Sequence, residues 1–176
     1  MRNTILRYGI ISGITLAALM CATTFLLDKV GYGYGEAIGY SCMVLGFLPT
    51  FFGARKYRDT VGEGKISFGR GFSISVLTAL FANLFYVAAW LLIYYNFPDL
   101  MAKYAMYSVD QLKAAGKSQQ EIDMVLKQMQ AVKELYKNPL INAAVTYTEP
   151  LAGTIMFSLI TALIIRRKPT STLLPQ

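Results

Sequence analysis

The stretch GFSISVLTALFANLFYVAAWLLIYY, residues 71–95, decides the fold class, because 25 consecutive residues carry no charge. As a helix it would extend roughly 37 Å, more than a hydrocarbon core of ~30 Å. Its most polar side chain, Asn83, falls at the middle. Trp90, Tyr94 and Tyr95 gather near the far end, where an interfacial aromatic belt would sit.

Three further runs repeat the pattern. Residues 5–27 are interrupted only by Arg7, residues 37–53 contain Pro49, and residues 140–165 contain Glu149 and Pro150 before running into Arg166, Arg167 and Lys168. The chain is 55% hydrophobic and 15% charged with a mean hydropathy of +0.41, against about 25% charge in soluble domains. These runs predict an all-α integral membrane protein with one membrane domain over residues 1–176. Its four transmembrane helices lie at about 5–27, 37–53, 71–95 and 140–165, with an extracytoplasmic helical hairpin over 96–139. The first run opens like a signal peptide. Retention is expected, because the apolar region is long, lacks a small-x-small site, and has Met20 before Cys21 where a lipoprotein signal has a small residue.

Four spans place both termini on one side. Ten basic residues then lie with the termini (Arg2, Arg7, Arg55, Lys56, Arg58, Lys65, Arg70, Arg166, Arg167, Lys168) and seven opposite, every arginine being among the ten. Basic residues accumulate on the cytoplasmic side, so cytoplasmic termini are expected. The net charge of +7 is thereby explained by topology, with no nucleic-acid partner implied.

The connection 96–139 carries its own helix signals. Pro98-Asp99 starts one helix and Gly116 stops it. Ser118 and Glu121 form a capping box for a second, whose Ile122, Val125, Leu126, Met129, Val132 and Tyr136 share one face. Asp123 and Lys127 stand at i,i+4 on the opposite side, Lys133 intrudes on the apolar face, and Asn138-Pro139 ends the helix. The face packs within the hairpin or on the outer ends of the spans, or docks on lipid or a partner chain.

DKVGYGYGEAIGY, residues 28–40, contains the V-G-Y-G of a potassium filter. Lys29 replaces the filter threonine, a charge of the wrong sign, and residues 28–36 leave no room for a pore helix. The run is expected to be a turn, with Tyr32, Tyr34 and Tyr40 at the interface. Residues 51–72, FFGARKYRDTVGEGKISFGRGF, are expected to be a basic loop. Its G-E-G-K-I-S is not a phosphate-binding loop, because Asp59 and Ile66 occupy the positions of the first glycine and the Ser/Thr, and Glu63 would repel phosphate. Arg55, Lys56, Arg58 and Arg70 are candidates for binding lipid headgroups or a partner.

The motifs F-G-x-R-x-Y-R-D (Phe52 to Asp59) and G-x-G-x-I-S-F-G (Gly62 to Gly69) are joined by R-N-T-I-L-R-Y-G at the start. F-Y-V-A-A-W-L-L-I-Y-Y-N-F, Y-K-N-P-L and the Glu149-Pro150 pair follow. Together they resemble an uncharacterised bacterial membrane family, domain of unknown function 4199. The resemblance implies a multi-span inner-membrane protein and supplies no activity and no catalytic residues.

Chemistry-bearing residues are few. There is no histidine, and the two cysteines, Cys21 and Cys42, lie in apolar runs. No cofactor, metal site or catalytic constellation is indicated, and an enzyme is not expected. Glu149 and Asn83 remain as intramembrane polar candidates. They serve as interhelical clamps or as elements of a small transporter or channel, unless the span boundary lies further along and leaves Glu149 in water. Gly9-x-x-x-Gly13 and Gly35-x-x-x-Gly39 permit close helix contacts, within the chain or in a homo-oligomer. The reading is a non-catalytic membrane module that binds a partner protein or lipid.

Overall fold

The computed structural model describes residues 1–30 and 32–167. Seven α-helices follow one another: α1 (Arg2–Val30), α2 (Gly35–Thr60), α3 (Phe68–Asn96), α4 (Pro98–Ala114), α5 (Gln119–Leu135), α6 (Pro139–Thr148) and α7 (Leu151–Ile165). A 3-10 turn, Tyr32–Tyr34, leads into α2. V-G-Y-G is thus split between the end of α1 and this turn, and its Gly31 lies outside the described residues.

Four segments are long and apolar enough to cross a membrane: Arg2–Leu27, Ala37–Thr60, Phe68–Asn96 and Pro139–Ile165, the last made of α6 and α7 in series. Many large apolar side chains point outward. Ile14, Val44, Leu84, Leu92, Met156 and Ile164 are all more than half exposed, as expected where lipid rather than water surrounds the bundle. The interior combines a few large apolar residues, Leu16, Phe47, Ile74 and Ile165 among them, with many small and polar ones. Ser12, Thr50, Ser75, Thr78, Asn83, Asn142, Thr146, Thr154 and Ser158 are wholly buried.

Helix α3 is central and packs on α1, α2, α6 and α7. Glycines let the backbones approach. A Cβ at Gly9 would come within 2.6 Å of the Phe81 ring, and one at Gly13 would overlap the Phe85 ring, so the first glycine pair seats α1 on α3 within one chain. Gly46 and Gly53 receive Leu16 and Tyr8 of α1 in the same way. The second predicted pair behaves differently. Gly35 is only 3.5 Å from Leu27 and Gly39 has nothing within 4 Å, so these glycines leave space instead of closing it.

The basic loop expected over 51–72 is mostly helix. Hydropathy falls at Arg55, but backbone hydrogen bonding continues to Thr60, and α3 starts at Phe68. Polarity marks where a helix leaves lipid, not where it ends. Termination comes at Glu63 and Gly64, whose φ values of 50° and 79° cannot continue a right-handed helix. Ser67 then caps α3 by accepting from the Arg70 amide at 3.3 Å.

The hairpin follows its signals. Pro98 occupies the first turn of α4, Gly116 takes φ 69°, and the Ser118–Glu121 capping box is formed. The Glu121 carboxylate, hydrogen-bonded by Lys117 at 2.8 Å and by the Ser118 amide at 2.9 Å, is held well down, to a pKa of about 2. Asp123 accepts from Gln119 at 2.9 Å instead of pairing with Lys127. Asn138 does more than end a helix: its side chain accepts from the Leu140 and Ile141 amides and caps α6.

Candidate functional site

The start of α2 and the helix break in the fourth span together leave a cavity at the hairpin end. Pro150 has no amide hydrogen, so the chain breaks between Thr148 and Leu151. The Glu149 amide reaches the Thr146 carbonyl at 3.3 Å, and the Thr148 hydroxyl takes the Val145 carbonyl at 2.6 Å. The backbone groups loosened by the proline are therefore occupied locally, and the Glu149 side chain is left facing α3.

There it accepts a hydrogen bond from the Tyr86 hydroxyl at 3.2 Å. Both groups line a cavity of about 870 Å³ walled by Leu16, Leu19, Met20 and Leu27 of α1, by Gly39 and Met43 of α2, and by Trp90 of α3. Leu100, Met101, Tyr104 and Tyr107 of α4 complete it on the hairpin side. Among the described residues the walls are mostly apolar and aromatic, with Thr23, Thr24 and Gln111 as polar members and the Glu149 carboxylate near the helix break.

Three polar pairs join α3 to the fourth span. Asn83 donates to Thr154 at 3.0 Å, Tyr86 to Glu149, and Trp90 to Asn142 at 3.0 Å. Asn83, Tyr86 and Trp90 recur every three or four residues, so they share one face of α3. Their partners run in reverse order because the helices are antiparallel. Tyr147 adds a bond to the Leu80 carbonyl at 3.0 Å.

Glu149 and Asn83 therefore do not meet. Glu149 faces the cavity, whereas Asn83 is wholly buried in a dry seam one pair further in. Trp90, expected in the interfacial belt, turns inward to hold Asn142. Tyr86 and Asn142 escaped notice in the sequence. The helical spacing of Asn83, Tyr86 and Trp90 was the available signal, but a tyrosine among apolar neighbours gives no hint that its hydroxyl meets an acid.

The four basic candidates at the terminal end also separate. Arg58 is buried at 8% exposure; its Nε lies 2.6 Å from Asp59 and its Nη1 donates to the Ile165 carbonyl at 3.4 Å. It ties α2 to the C-terminus of α7 and is no surface cation. Arg55 lies 3.8 Å from the same Asp59, and Lys56 is exposed on α2. Arg70 is exposed in the first turn of α3.

Tyr57, Gly62 and Ile66 of the two central motifs are structural in the same way. Tyr57 and Ile66 are buried with Ala54, Ile74 and Ile165. At Gly62 a Cβ would strike the carbonyl oxygens of Lys65 and Arg58. Ile66 exchanges both backbone hydrogen bonds with Arg167, at 3.2 and 3.1 Å. These residues form a clasp that fastens α2, α3 and α7 together, and the sequence profile of a known family carries the same stretch.

The chain belongs to the DUF4199 family of proteins of unknown function.

The DUF4199 match covers residues 7–167, so cavity, polar pairs and clasp all lie within it. No curated protein and no solved structure matches the chain. Of the apolar face expected on α5, Ile122 is buried, Val125, Leu126, Met129 and Tyr136 are partly covered, and Val132 stays 45% exposed. Helix α5 packs chiefly on α4. Tyr136 seats its ring on Tyr94, centroids 5.6 Å apart, and accepts the Tyr95 hydroxyl at its carbonyl. This face is thus partly covered within the chain, with Tyr136 seated on the end of α3 and Val132 left exposed. Among the described residues of this DUF4199 protein, no three His, Cys, Asp or Glu side chains group as metal ligands.

Proposed function

We propose that this protein is a non-catalytic membrane module that holds a lipid-like amphiphile in the cavity beneath the hairpin. The observation that carries the reading is the cavity itself. Its volume of about 870 Å³ suits a ligand of substantial size. Apolar walls accept a hydrocarbon chain, while Glu149 and Tyr86 offer a head group a hydrogen-bond acceptor and a hydroxyl. An ammonium-bearing head fits that chemistry best.

The setting is a bacterial inner membrane with both termini in the cytoplasm. The gathering of every arginine at the terminal end supports that orientation. The cavity then belongs to the outer leaflet.

The second reading, a small transporter or channel working through Glu149, is favoured by the access the cavity gives to that carboxylate. What supports binding over permeation is the interior beyond it. Leu16, Phe47, Ala79 and Ala82 pack together, and Asn83, Thr154 and Ser158 have no exposed surface.

The test uses the full chain in nanodiscs with a photoreactive phosphatidylethanolamine. Labelling should map to α1 and α4 and should weaken in Glu149→Gln. It should vanish in Gly39→Phe, which puts a ring at a lining position where an added Cβ would meet no described atom outside its own stretch of helix within 4 Å. Labelling spread evenly over the lipid-facing surface and indifferent to both variants would refute a cavity ligand. Cation or proton flux in liposomes that Glu149→Gln abolishes would move the protein to the transporter class.

A further inference from the structure

A second cavity, of about 410 Å³, lies at the other end of the bundle, bounded by Tyr57, Val61, Gly62, Lys65, Ile66, Ser67, Phe68, Arg70, Arg166 and Arg167. We propose that it is a binding site for one anionic phospholipid, with the phosphate held by Lys65, Arg70, Arg166 and Arg167.

The argument is independent of the hairpin-side cavity and rests on position, charge and rigidity. The cavity stands where Ala37–Thr60 ends, Phe68–Asn96 begins and Pro139–Ile165 ends, which is headgroup depth. Its walls are mainly apolar, with Tyr57, Val61, Ile66 and Phe68 among them, and Lys65, Arg70, Arg166 and Arg167 border it. A phosphodiester carrying acyl chains presents the matching combination.

Two acids lie close by. Asp59 is engaged by Arg58 at 2.6 Å and Arg55 at 3.8 Å and also feels the Arg167 charge, and Glu63, in the turn before Lys65, does not line the cavity; none of the four rim cations forms a close ion pair among the described residues. Their backbone is also held in register. The Ile66–Arg167 backbone bridge and the Arg58 bond to Ile165 fix the segment after α7 against the loop bearing Lys65. Cations from three chain segments therefore border one cavity. The bridge uses backbone atoms only, so the side chains can be changed without undoing it. Of these four, sequence reading had singled out Arg70 alone.

Native mass spectrometry of the full chain, released from nanodiscs of mixed phosphatidylglycerol and phosphatidylcholine, tests this directly. Phosphatidylglycerol should be retained in preference. The triple variant Lys65→Gln, Arg70→Gln, Arg167→Gln should lose roughly 100-fold in retention, at about tenfold per 1.4 kcal/mol and ~1 kcal/mol per cation. Arg55→Gln with Lys56→Gln removes neighbouring charge outside the cavity and should change retention by less than about threefold. Val61→Trp, which fills the cavity without altering charge, should also lower retention. Equal losses in the two charge variants, or no preference for phosphatidylglycerol, would overturn the proposal. Displacement by an equal concentration of inorganic phosphate would reassign the site to free phosphate and overturn the lipid.

Discussion

The two ends of this bundle treat their glycines and charges in opposite ways. At the terminal end Gly62 has no room for a Cβ, Arg58 is buried against a helix C-terminus, and a backbone bridge pins the chain after α7. At the hairpin end Gly39 faces empty space, and Glu149 has a single tyrosine hydroxyl to meet. The difference teaches that one end is built for rigidity and the other leaves volume for something to enter. Glycine serves both, by permitting contact in the first and by omitting bulk in the second.

The comparison is broken most severely by adding volume at a closed contact. Gly13→Leu must displace the Phe85 ring and is expected to destabilise by about 3 kcal/mol, read as thermal unfolding in detergent. Gly39→Leu, made beside it, is expected to stay within about 0.5 kcal/mol of wild type. Equal losses would mean that the space around Gly39 is not free.

Charge removal at the clasp comes next. Arg58→Met leaves the Ile165 carbonyl and Asp59 without this donor and is expected to cost about 2 kcal/mol. Arg55→Met, on an exposed side chain sharing the same acid, should cost less than about 0.5 kcal/mol.

The dry seam gives a smaller effect. A double-mutant cycle with Asn83→Leu and Thr154→Val should return a coupling of about 1 kcal/mol. A cycle with Tyr86→Phe and Glu149→Gln should return less, because that pair opens on the cavity. If the second coupling exceeded the first, Glu149 would be a structural clamp.

The smallest effect concerns the hairpin and pH. Glu121 has its pKa lowered from 4.5 to about 2 by Lys117 and Ser118. Its contribution is therefore fully present above pH 4.5 and is lost as pH falls from there through about 2. Hydrogen-exchange protection at the start of α5, corrected for intrinsic rates, should fall across that window in wild type and be flat in Glu121→Gln. A fall of the same size in both would place the pH response elsewhere.

Much of the architecture was legible along the chain because lipid imposes a long-wavelength constraint. Runs without charge must be helices long enough to cross, whatever their neighbours. Local signals were legible for a related reason: Pro98, Gly116 and the Ser118–Glu121 box act through backbone groups a few residues away. The boundary at Gly53 misled because hydropathy reports solvent, whereas the helix persists to Thr60 until Glu63 and Gly64 adopt positive φ.

What the sequence by itself determined, then, is the all-α class, the number of spans, the hairpin and its caps, and the singularity of Glu149 and Asn83. Only the tertiary structure decided which glycines make contact, that Arg58 is buried, that Tyr86 meets Glu149, and that Lys65, Arg70, Arg166 and Arg167 surround one cavity. The physical reason is range. Span and cap depend on neighbours within a few residues or on the surrounding solvent, while a cavity depends on side chains brought together from positions as far apart as Leu16 and Glu149. Nothing in the local pattern of any one helix records the shape of the space between them.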